Sequence, residues 1–106
     1  MIVATVHTIQ GKKIVKTLGM VRGNTIRVRH IGKDIMAGLR NLVGGEVKEY
    51  TKLMGESREQ AIDRMVAEAE RIGGNAIVGV RFTTSMLMGG AAELLAYGTA
   101  VKVEDE

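Results

Sequence analysis

The stretch Glu59-Gln60-Ala61-Ile62-Asp63-Arg64-Met65-Val66-Ala67-Glu68-Ala69-Glu70-Arg71-Ile72-Gly73-Gly74-Asn75-Ala76-Ile77-Val78-Gly79-Val80-Arg81-Phe82 decides the fold. In its first half Ala61, Ile62, Met65, Val66, Ala69 and Ile72 recur at three- and four-residue steps, while Glu59, Asp63, Arg64, Glu68, Glu70 and Arg71 occupy the remaining positions. That spacing predicts an amphipathic helix with one apolar stripe. Gly73-Gly74 supplies its stop, because glycine accepts the left-handed conformation that closes a helix C-terminus. Beyond it Ala76, Val78, Val80 and Phe82 alternate, which predicts a strand with those four on one face.

Toward the N-terminus, Val47, Tyr50, Leu53 and Met54 continue the helical spacing back to Glu46. Gly55 costs the helix about 1 kcal/mol relative to alanine, and Ser57 with Gln60 has the form of a capping box that would start a helix later. The expectation is one helix rather than two, with Gly55 the position at which it could kink. A short helix is predicted over 33–43, where Ile35, Met36, Leu39, Leu42 and Val43 repeat at helical steps before Gly44-Gly45. Earlier still, Ile2 to Thr8 alternates as a strand, Gln10-Gly11-Lys12 reads as a turn, and a run from Ile14 to Val21 breaks at Arg22-Gly23-Asn24 and resumes from Thr25 to His30. On the other side, Ser85 to Gly90 reads as a loop. A last strand follows over Ala92 to Val103, with Leu95, Tyr97, Thr99, Val101 and Val103 on one side and a frayed acidic end, Glu104-Asp105-Glu106. Strands, helices, strands is the order of a single α+β domain over 1–106: an antiparallel, curved sheet packed against one long helix plus a short one.

Composition narrows the chemistry. With 106 residues the chain makes one core and buries about two thirds of its unfolded surface. Hydrophobic residues are 45% of the chain, yet only Tyr50, Phe82 and Tyr97 are aromatic and 14 residues are glycine. A core this short of bulk makes association a natural source of further burial. Cysteine is absent, which excludes disulfides, thiolate metal sites and cysteine catalysis. No basic segment precedes an apolar run at Met1-Ile2-Val3-Ala4-Thr5, and no apolar stretch approaches the roughly 20 residues of a membrane span, so a soluble cytoplasmic protein is expected. Charge is asymmetric: residues 1–40 carry eight Lys/Arg against Asp34, and residues 41–106 carry seven against eleven Asp/Glu. A basic first third containing Arg22, Arg27, Arg29, Lys33 and Arg40 is a weak nucleic-acid signature, because no aromatic residues are interleaved to stack on bases.

The segments Gly19-Met20-Val21-Arg22-Gly23, Asp34 with Ala37-Gly38-Leu39-Arg40 and Val43-Gly44-Gly45, Tyr50, Arg58 with Ala61, Gly73 to Phe82, and Tyr97-Gly98-Thr99-Ala100-Val101 follow one another in an order and spacing that resemble the YbjQ-like family. The family carries a heavy-metal-binding label and no established activity. The resemblance covers nearly the whole chain. It implies a dodecin-like fold class and a ring-shaped homo-oligomer, a pentamer, with sheets joined across subunits.

Candidate site residues follow from chemistry. Gly44, Gly45 and Arg40 at a helix start offer backbone N–H groups and a guanidinium to a small anionic ligand, with Tyr50 lining the same pocket. The pattern lacks the lysine and hydroxyl of a phosphate loop, and a tight interhelix turn explains it better. His7, His30 and Asp34 are the metal donors, without the tight spacing of a zinc site inside one subunit; a ring could gather one histidine from each copy. Met86 and Met88 present soft sulfur suited to Cu(I) or to interface packing. No serine, histidine or carboxylate sits in a recognisable catalytic motif, so a non-enzymatic binding protein is expected. A ring without a dedicated ligand is the alternative.

Overall fold

The computed structural model describes residues 1–27, 47–86 and 91–106. They form β1 (Ile2–Val3), β2 (Lys12–Arg27), α1 (Val47–Arg71), β3 (Ala76–Met86) and β4 (Ala92–Asp105). The strands make one sheet in the order β1-β3-β4-β2. β4 pairs antiparallel with both β2 and β3, and β1 pairs parallel with β3, so the sheet is mixed where an antiparallel one was expected. The predicted short helix over 33–43 and the Leu87–Gly90 part of the loop lie outside the described residues.

Helix α1 forms because its apolar stripe matches the sheet beneath it. Ala61, Met65 and Ala69 are fully buried against Val21, Ile77, Val80, Leu94, Ala96 and Ala100, with Met54, Val66 and Ile72 half-buried around them. The helix is continuous through Gly55. Ser57 does not cap a helix start: it sits inside α1, buried against β2, and its carbonyl accepts a hydrogen bond from the Thr25 hydroxyl at 3.3 Å. The stop is as predicted. Gly73 has φ +90°, its N–H donates to the Glu70 carbonyl, and the Gly74 N–H reaches back to the Ala69 carbonyl at 2.8 Å, a Schellman closure.

β2 runs unbroken through Arg22-Gly23-Asn24, against the expected interruption. Gly23 serves approach rather than turning: a Cβ there would stand 2.2 Å from the Ala61 carbonyl oxygen and 2.4 Å from the Met65 nitrogen. The irregularities of β2 lie lower, as register shifts between Ile14 and Lys16 and between Thr17 and Gly19.

The sheet buries opposite faces along its length. Its upper part packs on α1, whereas Ala76, Val78, Val101 and Val103 form a second cluster with Ile9. The switch is made in β3 by a register shift between Val78 and Arg81, where Gly79 has φ +63°. Consequently Ala76, Val78, Val80 and Phe82 do not share one face. Ala76 and Val78 contact Ile9, Val80 contacts the helix-side core, and Phe82 is exposed. In β4 likewise the helix-facing residues are Leu94, Ala96 and Ala100, and the predicted row of Leu95, Tyr97, Thr99, Val101 and Val103 lies on the other face.

The predicted strand Ile2–Thr8 shortens to Ile2–Val3 because the chain must cross from β3 to β2, on the far side of β4. Residues 4–11 make that crossing as a strap. Hydrogen bonds from Ala4 N to Ile77 O, Val80 N to Ala4 O and Gly79 N to Val6 O hold its start. The expected turn ends it, with Gly11 at φ +81° and Lys12 N donating to Ile9 O. The acidic end is tied down rather than frayed. β4 reaches Asp105, which pairs with Lys12, and Glu106 N donates to Gly11 O. Part of the charge asymmetry between the chain's two ends is thereby neutralised within one sheet.

Candidate functional site

Of the residues singled out by chemistry, His30, Asp34, Arg40, Gly44 and Gly45 lie outside the described residues, as does the side chain of Tyr50, whose backbone is in the first turn of α1. His7 is described. Its ring lies against Gly79, with Nδ1 3.1 Å and Cε1 3.2 Å from where a Cβ on that glycine would stand. Among the described residues no three His, Asp or Glu side chains are grouped to hold a metal ion. Met86 ends β3 and is 75% exposed; Met88 lies outside the described residues.

The arrangement the fold does assemble is on the sheet face turned away from α1. β4 places Tyr97 there, half-buried in the centre of the sheet. Register puts Arg22 of β2 opposite Tyr97 on one side and Arg81 of β3 opposite it on the other. Adjacent strands are about 4.8 Å apart, so the two arginine Cα atoms stand roughly 10 Å from each other across one tyrosine. Both arginine residues are exposed. The Arg81 head is anchored at the strap, where Nη1 donates to Thr5 O at 2.9 Å and Val80 O at 2.8 Å. Further along the same face Asn24 Nδ2 donates to Glu93 at 3.1 Å.

The second feature is an edge. No described strand pairs with the outer side of β2 along Lys12–Arg27, nor with β3 over Phe82–Met86. On the β2 side Arg64 reaches out from α1 and donates Nη1 to the Asn24 carbonyl. Met20, Val21, Arg22, Asn24 and Glu68 line a shallow depression beside it. The Glu68 carboxyl is held below its ordinary value first by its hydrogen bond from Arg71, against a small desolvation cost, and then by the charges of Arg71 and Arg22. Large apolar side chains stand out around both edges: Met20 is 68% exposed, Ile26 50%, Phe82 44% and Met86 75%. Sequence reasoning named Arg22 and Tyr97 separately and missed Arg64 and Arg81. Nothing in the spacing of positions 22, 81 and 97 reveals that they share a row.

These elements define an α+β protein that presents a charged, tyrosine-centred sheet face and unpaired strand edges, with no assembled catalytic constellation among its described residues. The chain belongs to the YbjQ family: a family model described as "Putative heavy-metal-binding" matches residues 1–104. It is 64% identical over 103 residues to a UPF0145 protein of Methanosarcina acetivorans, covering 97% of each chain. To a UPF0145 protein of Dehalococcoides mccartyi it is 58% identical over 104 residues, 98% of this chain and all of the other. A crystal structure of a protein of unknown function of the DUF74 family, from Pediococcus pentosaceus, superposes with a TM-score of 0.65 over 98% of both chains at 15% identity, which establishes the shared fold. No helix among the described residues is long and apolar enough to cross a membrane.

Proposed function

We propose that the protein is a non-enzymatic homo-oligomer that joins its sheets edge to edge and binds a small anionic ligand or a metal ion where subunits meet. The observation that carries this reading is the outer edge of β2, sixteen residues long and without a described partner, with Met20 and Ile26 exposed upon it. A solitary protein avoids leaving so long an edge open, because its unpaired N–H and C=O groups template further strands; the lysines of Lys12–Lys16 blunt one end of it and leave the Met20–Ile26 part the more open to pairing. A second, different edge at Phe82–Met86 makes head-to-tail pairing of copies possible, and such heterologous contacts close into rings. Five is the subunit number that the family resemblance implies.

In this reading Arg40, Gly44, Gly45 and Tyr50 form the ligand pocket, and His7, His30 and Asp34, contributed by several copies, are the metal donors. A ring is the arrangement that turns scattered histidines into a set, since one subunit's described residues do not make one. The protein acts in the cytoplasm.

Native mass spectrometry of untagged protein, purified without added metal, tests this. A pentamer with a defined extra mass supports the whole reading, and a bare pentamer supports the assembly without the ligand. A monomer overturns it. Adding Zn²⁺ should raise the melting temperature, as binding to the native state alone must, and His7→Ala should diminish that rise.

A further inference from the structure

We propose that the row Arg22–Tyr97–Arg81, on the sheet face opposite α1, binds a phosphorylated ligand that carries a planar ring, of the mononucleotide class. Three observations lead there, none of which depends on the oligomer or on the metal donors above.

The first is register. Three strands bring two arginine residues to either side of one tyrosine. As the fold stands, the Arg81 head is held at the strap and Arg22 lies near enough to Glu68 to act on its carboxyl, so the two heads must swing inward to meet one anion above the intervening ring. Guanidinium is permanently charged and matches phosphate bidentately.

The second is the state of those arginines. The ion pairs among the described residues are Lys12–Asp105 and Glu68–Arg71; neither Arg22 nor Arg81 belongs to one, although the charge of Arg22 acts on the Glu68 carboxyl. The Arg81 head is already fixed by the carbonyls of Thr5 and Val80 through Nη1, which leaves Nε and Nη2 outside those bonds.

The third is the floor between them. Tyr97 is half-buried, with Leu95 and Thr99, also half-buried, next along β4 on the same face. A half-buried aromatic ring on an open sheet face can serve as a stacking platform. The charge pattern favours one phosphate over a polymer. A nucleic-acid strand needs a track of cations, whereas here Glu93 follows two strand positions beyond Leu95, and the strap bounds the row on the other side. His7, exposed on the strap beside Gly79, lies at that boundary.

Calorimetric titration of the full chain with adenosine 5′-monophosphate, with adenosine and inorganic phosphate as separate titrants, tests the assignment. The monophosphate is expected to bind at least about tenfold more tightly than either fragment, since ring and phosphate are held by different residues. Arg22→Ala should weaken the monophosphate about tenfold or more and leave adenosine unchanged, with Arg22→Lys intermediate because the fork is lost while the charge remains. Tyr97→Leu should weaken the monophosphate and adenosine but not phosphate. Circular dichroism confirms that each variant folds; Arg22 is exposed and its replacement opens no cavity. No binding of the monophosphate, binding that all three variants leave unchanged, or binding only of a single-stranded oligonucleotide overturns the proposal.

Discussion

Gly23 carries a larger share of the fold than its size suggests. With backbone atoms of Ala61 and Met65 within 2.4 Å of its missing Cβ, α1 lies directly on the main chain of β2. Those atoms cannot rotate aside as a side chain can. Gly23→Ala must lift the helix, so a loss of about 3 kcal/mol, at the upper end for overpacking, is expected in urea denaturation. Gly79→Ala acts differently, by forcing a Cβ into a left-handed conformation and against the His7 ring. It should cost about 1 to 2 kcal/mol and loosen the strap, read as faster amide exchange at residues 4–8. In the sequence Gly23 read as a break in its strand, whereas Gly79 passed inside an unbroken alternation. Local sequence does not distinguish a glycine that turns the chain from one that lets another element approach, because the approaching residues are about forty positions away.

At the scale of elements, the helix was the most legible part. A 3.6-residue period is a property of neighbours, and Ala61, Met65 and Ala69 are buried as their spacing requires. Gly55 lies in helical geometry with open space around it, the nearest atom to a Cβ there being Arg58 Nη2 at 3.8 Å. Gly55→Ala should therefore stabilise the protein by roughly 0.5 to 1 kcal/mol, seen as a higher melting temperature. The strands were located well and their faces poorly. Alternation assumes an unbroken period of two, and the register shift between Val78 and Arg81 resets it, so Phe82 left the side predicted for it. The same limit hid the Arg22–Tyr97–Arg81 row, which exists only through two registers. The candidate site was legible in part, as residue types; its assembly was not.

Two ion pairs also act at the scale of elements: Lys12 with Asp105 joins β2 to β4, and Arg71 with Glu68 closes the last turn of α1. Lys12 holds the Asp105 carboxyl below its ordinary value mainly by a hydrogen bond, as Arg71 does for Glu68. A carboxyl whose folded value is depressed contributes stability above its unfolded value, and loses it as pH falls through the folded one. Both groups are exposed and screened, so the contribution is small. Denaturation midpoints should fall slightly as pH drops from the ordinary carboxylate range to below it. Asp105→Asn or high salt should flatten that slope.

For the molecule as a whole, elongation and edges go together. The Cα radius of gyration is 17.2 Å, against about 13 Å for a compact chain of this length, and the longest dimension is 56 Å. β2 alone accounts for that length, since sixteen extended residues span about 53 Å. A molecule this thin has little interior for its surface and gains from sharing its edges. A charge placed on the apolar rim opposes such sharing without disturbing the monomer's core. Met20→Lys and Ile26→Lys are accordingly expected to shift native mass spectra toward monomer while circular dichroism stays unchanged. Dissociation accompanied by unfolding would instead mean that the subunit has no stable existence alone.

The registers also fix when this sheet can come into being on a ribosome. Ile2 aligns with Ala76, and Lys12 aligns with Asp105, so each strand of the first quarter waits for a partner made in the last third. A growing chain of fifty residues holds the long β2 ribbon with neither β4 nor α1 to cover it. Pairing this distant makes folding slow relative to local, helical folds, and leaves a bare template for strand-to-strand capture throughout synthesis. The three lysines and the threonine of Lys12-Lys13-Ile14-Val15-Lys16-Thr17 then acquire a meaning apart from the finished protein: they keep the first long strand to emerge soluble until its partner is made.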